Sequence, residues 1–177
     1  DTAGTALKTA SGTIEMGGGS FTVAGDVVRG VNVGDPATSS ESILHVEGGT
    51  FTVGENLAVD DLLVGRNGRT ASLIVEGNSV QVGAGEGTFF AVAINDDNSV
   101  VDATSGSVDF SAATTVDIDV ETVTVGDNEN GPDTLATATL MLGDTNTILA
   151  DDVYFGRRVA ETTVTVEQAT LTVTADD

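Results

Sequence analysis

The sequence repeats itself with a period of about 30 residues, and this period limits the possible folds more than any other feature. One recurring pattern has two apolar positions around a variable one, followed by a small or turn-forming residue and a charged residue. Its copies start at Val31, Leu62, Val92, Val123 and Val153, which are 31, 30, 31 and 30 residues apart. A period of this length is typical of repeat proteins, in which stacked copies of one short unit bury a shared core.

A second pattern has the same period. Each copy joins two apolar–x–apolar triplets through four residues rich in Gly, Ser and Thr, as in IEMGGGSFTV and LHVEGGTFTV. The copies start at Ile14, Leu44, Leu73, Val101, Leu140 and Val164. One period therefore holds about three short alternating segments separated by turn residues, which is the pattern of β-strands. Helical periodicity is weak, and we expect at most one short helical turn, within Asp1–Ala10.

These two patterns predict an all-β fold, a single-stranded parallel β-helix or β-solenoid with about six coils of roughly 30 residues and three short strands per coil. Stacking follows because the unpaired backbone groups of one coil can be satisfied only by a neighbouring coil. We assign residues 1–12 to an N-terminal edge or cap and residues 13–177 to the solenoid, as a single domain.

Aligning the repeats predicts which side chains stack inside the coils. One apolar column is expected from Phe21, Phe51, Val80, Val108 and Leu171, and another from Val33, Val64, Ile94, Val125 and Phe155. Glycines recur directly after the second column, at Gly34, Gly65, Gly126 and Gly156, with Asn95 in the copy that lacks glycine. Because Gly and Asn tolerate positive φ best, these positions predict a left-handed turn in each coil.

The net charge of −22, from 28 acidic and 6 basic residues, excludes whole classes of function. A chain this acidic repels nucleic acids and anionic membranes, and no apolar run approaches the roughly 18 residues of a membrane span. We therefore expect no nucleic-acid partner and no membrane insertion. The absence of Cys excludes disulfides and thiolate metal sites. We interpret the acidity chiefly as a means of keeping a long β surface soluble, with cation binding and adaptation to a saline environment as alternatives.

The segments GGTFTVGENLAV, at residues 48–59, and LLVGRNGRTASLIVEGNSVQVG, at residues 62–83, carry a resemblance to a known family. They resemble the Gly- and Thr-rich β-strand repeats of bacterial autotransporter passengers and related large surface proteins, over roughly residues 12–174. The resemblance implies a right-handed parallel β-helix displayed outside the cell, with no catalytic residues to transfer. The expected function is that of an extracellular or cell-surface structural element, either an adhesin passenger segment or a filament subunit.

The filament version depends on the ends of the stack. Thr170–Thr174 has the pattern of a strand and is not followed by a cap in this sequence. An uncovered coil presents a row of unpaired backbone groups. We therefore expect end-to-end self-association, because head-to-tail contacts that do not close generate filaments.

Two other classes of function are compatible with the repeat. One is a module that binds carbohydrate or a cell-surface protein through its loops. The other is a polysaccharide-degrading β-helix enzyme using the acid pairs Asp60–Asp61, Asp96–Asp97 or Asp151–Asp152. The first and third pairs lie three coils apart, roughly 14 Å at about 4.8 Å per coil, which is too far for cooperating carboxylates. His45, the one histidine, occupies the variable position of a strand and should face solvent, so we predict no enzyme and no catalytic residue.

Two Asp- and Asn-rich turns offer the oxygen ligands that a hard cation such as Ca²⁺ prefers. Both follow the first recurring pattern one coil apart, so they should lie close enough to share an ion. The candidate ligands are Asn95, Asp96, Asp97, Asp127, Asn128 and Glu129. Acidic turn residues also bind their own backbone amides, and this structural role is the alternative. The pattern requires no cofactor.

Overall fold

The structure is a computed structural model, and it describes residues 7–9, 12–25, 27–29, 42–97, 102–128, 136–158, 160–166 and 170–175. Over these residues the protein is all-β, has no helix, and pairs its strands in parallel in two sheets. The prediction of an all-β fold is confirmed. Leu7–Thr9, inside the segment where a helical turn was allowed, is a strand paired with Val27–Arg29, and the rest of Asp1–Ala10 lies outside the described residues.

Short strands separated by turns occupy most of the described chain, as its content of Val and Thr favours. In chain order they are β1 Leu7–Thr9, β2 Gly12–Met16, β3 Ser20–Val23, β4 Val27–Arg29, β5 Ser42–Val46, β6 Gly49–Val53, β7 Leu57–Val59, β8 Asp61–Arg66, β9 Thr70–Val75, β10 Ser79–Asn95, β11 Thr104–Asp109, β12 Thr115–Asn128, β13 Ala136–Leu142, β14 Thr145–Arg157, β15 Ala160–Val166 and β16 Thr170–Ala175. Three of them, β10, β12 and β14, are long enough for their first and second halves to pair as two separate strands would.

The strands form three rows, in each of which strands from successive parts of the chain lie side by side. Row 1 contains β2, β5, β8 and the second halves of β10, β12 and β14. Row 2 is the six-stranded sheet of β3, β6, β9, β11, β13 and β15. Row 3 contains β1, β4, β7, the first halves of β10, β12 and β14, and β16. Because the long strands run from row 3 into row 1, these two rows make up one ten-stranded sheet.

All three rows contribute to one hydrophobic core. Burial alternates along regular strands, and every second side chain is buried along Ala136–Leu142. The buried columns are Leu44, Leu62, Phe90 and Val123 in row 1, Phe51, Leu73, Val108 and Leu140 in row 2, and Val27, Leu57, Val80 and Val116 in row 3. The core is filled mainly by aliphatic side chains, as a composition with 4% aromatic residues predicts.

The first predicted column is wrong at two positions. Phe51 is followed in row 2 by Leu73, whereas Val80 and Leu171 belong to row 3. The reason is that copies of the ten-residue pattern turn different corners. The copy that starts at Leu44 runs from row 1 into row 2, whereas the copy that starts at Leu73 runs from row 2 into row 3. The interval between stacked residues also varies, from 22 residues between Phe51 and Leu73 to 35 between Leu73 and Val108. A constant period therefore does not give the register.

The second predicted column is wrong at one position. Val92, not Ile94, pairs with both Val64 and Val125, which moves the third copy of the pattern two residues towards the N-terminus. Phe155 does pair with Val125, yet it is 45% exposed because no described strand of row 1 lies beyond it. The even spacing of the sequence pattern thus hides unequal lengths of chain between stacked strands.

The shift at Val92 also moves the left-handed turn position. Positive φ occurs after the row 1 column at Gly65, Ala93, Gly126 and Gly156. Ala93, with φ of 55°, therefore occupies the place expected for Asn95. The prediction of a recurring left-handed position is confirmed for the three described glycines, and Val33 and Gly34 lie outside the described residues.

Candidate functional site

The acid pair at the start of β8 is bound to the backbone. Asp60 and Asp61 are only 4% and 5% exposed. The Ser42 N–H donates to the Asp60 carboxylate at 2.7 Å, and the Asp60 N–H donates to the Ser42 carbonyl at 2.8 Å. The Phe89 N–H donates to the Asp61 carboxylate at 2.8 Å. Both carboxylates thus satisfy backbone groups of neighbouring row 1 strands, as buried polar groups require.

The third acid pair lies on the far side of row 1. Asp151 and Asp152 are exposed on β14, and Asp152 pairs with Thr122 of β12. Thr122 in turn pairs with Phe89, the residue that binds Asp61. Three strand spacings, roughly 14 Å, therefore separate the carboxylates of Asp61 and Asp152. They lie too far apart to act together on one glycosidic bond.

The two turns predicted to bind a cation do lie next to each other. In the first turn, however, the carboxylate of Asp96 accepts hydrogen bonds from an arginine. Asn95 and Asn128 are register partners, and the Asn95 amide nitrogen donates to the Asn128 side-chain oxygen at 3.2 Å. Arg66 donates two hydrogen bonds to Asp96, at 3.3 and 2.8 Å. Asp97 is exposed, in the same turn.

Arginine side chains from the next strand hold the second turn. Arg158 donates two hydrogen bonds to the Asp127 carboxylate, at 3.0 and 2.8 Å, and Arg157 Nε lies 3.6 Å from it. Within the part of the chain that the structure describes, no three His, Cys, Asp or Glu side chains gather closely enough to hold a metal ion. Glu129 lies outside that part, and calcium at these turns stays a prediction.

Asp96 and Arg66 favour each other's ionised forms. Burial by itself would raise the pKa of Asp96, but the hydrogen bonds from Arg66 and the contact with the Asn67 side chain lower it below its usual value. The same hydrogen bond raises the pKa of Arg66 further above its ordinary range. Both side chains are about one-third exposed, so this pair fixes their orientation more than it stabilises the fold.

His45 faces the outer side of row 1 but is half-buried, so the expectation of a solvent-facing histidine is only partly correct. Its ring lies 5.8 Å from that of Phe89, centroid to centroid, and its Nε2 atom is buried without a hydrogen-bond partner among the described residues. Burial lowers the pKa of His45 below its ordinary value, and the positive charge of Arg66 adds to this. The imidazole is therefore neutral at pH 7.

A groove on the outer face of row 1 begins at His45. Its floor follows a column of register partners on β5, β8, β10 and β12, namely His45, Leu63, Ala91 and Thr124. The cavity has a volume of about 430 Å³. Leu63, Ala91 and Thr124 are 5%, 6% and 8% exposed, which is unusual for outward-facing strand positions.

The two sides of the groove differ in chemistry. Phe89 and Thr122 line it on the side that their strands enter, two residues before the floor. On the opposite side lie Ile94, the ion pair of Arg66 and Asp96, and Asp127. The groove therefore has a floor that is apolar in the middle, at Leu63 and Ala91, with one aromatic wall and one charged wall. We hereafter call it the row 1 groove.

Sequence reasoning did not find the row 1 groove, because its members become neighbours only through the strand register. The shift at Val92 concealed that Ala91 stands beside Leu63. A signal was nevertheless present in the sequence. Leu63 and Phe89 are apolar at positions that face outward, where exposed strands usually carry polar side chains.

No protein-family model, curated protein or solved structure matches this chain. The described residues include no helix that is long and apolar enough to cross a membrane. The rows of strands and the row 1 groove are therefore the features from which a function can be proposed.

Proposed function

We propose that this chain is a structural β-solenoid, a single-stranded parallel β-helix of about six coils, within a protein displayed outside the cell. The observation that carries the proposal is the in-register stacking of strands in three rows, which the chain visits in the same order from β1 to β16. Such a stack is a scaffold whose interior is filled by side chains. The family resemblance supports a place at the cell surface, as an adhesin passenger segment or a filament subunit.

The proposal includes the absence of an enzymatic activity. Asp60 and Asp61 bind backbone amides, and arginine side chains hold Asp96 and Asp127. Carboxylates committed in this way favour a scaffold over a polysaccharide-degrading enzyme. A polysaccharide-degrading activity that disappears in the Asp61→Asn variant would contradict this part of the proposal.

Engineered cysteine pairs test the coil, since the chain has no cysteine of its own. Ser72 and Ser107 are register partners on β9 and β11, so their Cα atoms lie within disulfide reach. We expect the pair Ser72→Cys with Ser107→Cys to form a crosslink on mild oxidation. The control pair, Ser72→Cys with Ser105→Cys, should not, because Ser105 is the partner of Thr70 instead. Equal crosslinking of both pairs, or of neither, contradicts the coil.

Surface labelling tests the location. Antibodies raised against this chain should bind intact, unpermeabilised cells of the source organism. An antibody against a cytoplasmic protein serves as the control for cell integrity. Labelling that requires cell lysis would overturn the extracellular placement.

We also propose that the 177-residue chain associates end to end. Phe21 in row 2 and Phe155 in row 1 occupy inward columns but are 49% and 45% exposed, whereas Phe51, stacked on Phe21, is fully buried. Their strands pair on one side only within the described part of each row. Continuing the rows into a second copy would cover both phenylalanines and extend the backbone ladder.

Charge supports the head-to-tail arrangement. The Arg157 guanidinium lies 4.5 Å from the centroid of the Tyr154 ring, and Glu15 is exposed on β2 at the other edge of row 1. A second copy stacked in register would place its Glu15 on Tyr154, within reach of Arg157. This pair of opposite charges would add to the apolar contacts between the two edges.

Self-association is measurable by sedimentation velocity and electron microscopy. We expect assemblies that grow with protein concentration and disappear in the Phe21→Asp and Phe155→Asp variants. Leu149→Asp is the matched control, because Leu149 is 40% exposed but faces the outer side of row 3. Monodisperse monomers at high concentration, or equal effects of all three changes, would contradict end-to-end stacking.

A further inference from the structure

The row 1 groove is built differently from the rest of the outer surface. On β12, for example, Asp117 and Asp119 face outward and are exposed. In the groove, by contrast, Leu63 and Ala91 face outward and are nearly buried. An apolar recess with a few converging polar groups is the usual form of a ligand site, and on a chain of charge −22 it stands out from its surroundings.

We propose that the row 1 groove binds one or two sugar units of a neutral saccharide. Its volume of about 430 Å³ falls in the range of roughly 300–1,000 Å³ that ligand pockets occupy. Ala91 is the smallest residue of the floor and lies between Leu63 and Thr124. The apolar C–H face of a pyranose ring fits against the half-buried Phe89 ring, above the nearly buried Leu63 and Ala91 at the base of the groove.

The rim of the groove supplies partners for sugar hydroxyls. Thr122 offers a hydroxyl on one side, and Asp96 and Asp127 offer carboxylate oxygens on the other. The carboxylates are held in place by two hydrogen bonds each, from Arg66 and Arg158. A sugar hydroxyl donates one hydrogen bond and accepts others, so it can use both the acceptors and the donors of such pairs. Groups fixed in advance also reduce the entropy lost on binding.

Charge favours a neutral ligand over an ionic one. A cation would have to displace Arg66 or Arg158 from carboxylates that they already neutralise. An anionic sugar would be repelled by a chain with a net charge of −22. His45 adds no positive charge at neutral pH, because burial lowers its pKa. A neutral saccharide meets neither obstacle.

Binding is tested with an array of neutral oligosaccharides of glucose, mannose, galactose and N-acetylglucosamine, followed by NMR titration with any that bind. We expect at least one class to bind and to shift the amide signals of Leu63, Ala91 and Thr124. Ala91→Trp fills the groove and should weaken binding by about tenfold or more. Ala58→Trp makes the same change at an outward position of row 3 and should have no effect.

A second variant tests the wall of the groove without adding bulk. Phe89→Ala should weaken binding to a similar extent, because it removes the aromatic surface while its backbone N–H still reaches Asp61. Circular dichroism and thermal unfolding establish that each variant is folded. The proposal is overturned if no neutral saccharide binds, if Ala91→Trp binds like the wild type, or if only anionic sugars or peptides occupy the groove. The cysteine crosslinks test the coil separately, so either proposal can fail alone.

Discussion

Gly65 and Gly87 share a left-handed backbone conformation, with φ of 85° and 83°, but differ in their surroundings. A Cβ atom at Gly65 would lie 2.6 Å from the Ser105 carbonyl oxygen in row 2, whereas one at Gly87 would meet nothing within 4 Å. At the scale of single residues, a side chain at Gly87 would meet only backbone strain, whereas one at Gly65 would also clash with the backbone of row 2. Glycine is thus favoured at position 65 for two reasons, one conformational and one steric.

Alanine substitutions measure the two contributions. Gly87→Ala should lower the free energy of unfolding by about 1 kcal/mol, the cost of left-handed backbone in a residue with a Cβ. Gly65→Ala should cost about 2 kcal/mol more, since rows 1 and 2 must also move apart. Urea unfolding of both variants provides the comparison. Equal losses would show that the approach of the two rows does not matter.

His45 couples the stability of the fold to pH. Burial lowers its pKa in the folded chain, so below about pH 6.5 the unfolded chain takes up the proton first. The contribution of neutral His45 to the free energy of unfolding is complete above about pH 6.5. It is lost as the pH falls towards the lower pKa of the folded chain. Because it is the one histidine, the free energy of unfolding should fall from pH 7 to pH 5 more steeply in the wild type than in His45→Phe. Parallel pH profiles would contradict this assignment.

At the scale of elements, two buried carboxylates at the start of β8 join this strand to its neighbours in row 1. The chain enters β8 through Asp60 and Asp61, whose carboxylates bind the N–H groups of Ser42 on β5 and Phe89 on β10. In the later coils β10, β12 and β14 pass from row 3 into row 1 without a break. The acid pair thus fastens the connection between β7 and β8 to the neighbouring strands β5 and β10.

Asp61→Ala should lower the free energy of unfolding by about 1–3 kcal/mol, because the Phe89 N–H loses its partner. Asp117→Ala is the matched control. Asp117 is exposed on β12, so its removal should change stability by no more than about 0.5 kcal/mol. Chemical denaturation followed by circular dichroism measures both variants. A loss of unfolding free energy in Asp117→Ala as large as that in Asp61→Ala would contradict a stabilising role for the bond between Asp61 and the Phe89 N–H.

At the scale of the whole molecule, the charge of −22 on one stack of strands opposes folding by self-repulsion. Raising NaCl from about 10 mM to about 1 M shortens the Debye length from roughly 30 Å to roughly 3 Å and should raise the midpoint of thermal unfolding. Millimolar CaCl₂ at equal ionic strength tests the predicted calcium site. A further rise would support it, and the same midpoint as in NaCl would count against it.

The sequence by itself determined the strand content, the turn positions and the aliphatic nature of the interior. These properties are local, because alternation along Ala136–Leu142 or a glycine at position 126 needs no knowledge of distant residues. It also placed the two Asp- and Asn-rich turns on neighbouring coils, although it aligned Asn95 with Gly126 and not with its observed partner Asn128. The arginine side chains that hold Asp96 and Asp127 were not predicted, since Arg66 and Arg158 reach them from adjacent strands about 30 residues away.

Only the tertiary structure decided the register of the rows and, with it, the row 1 groove. Stacked residues are as few as 18 apart, from Leu44 to Leu62, and more than 30 apart elsewhere, because extra residues at a corner leave the backbone ladder intact. Lengthening a loop costs little, so equal spacing is not needed for equal stacking. A shift of two residues at Val92 therefore escaped the periodic pattern, and it is this shift that sets Ala91 beside Leu63 and Phe89 beside Thr122 in the groove.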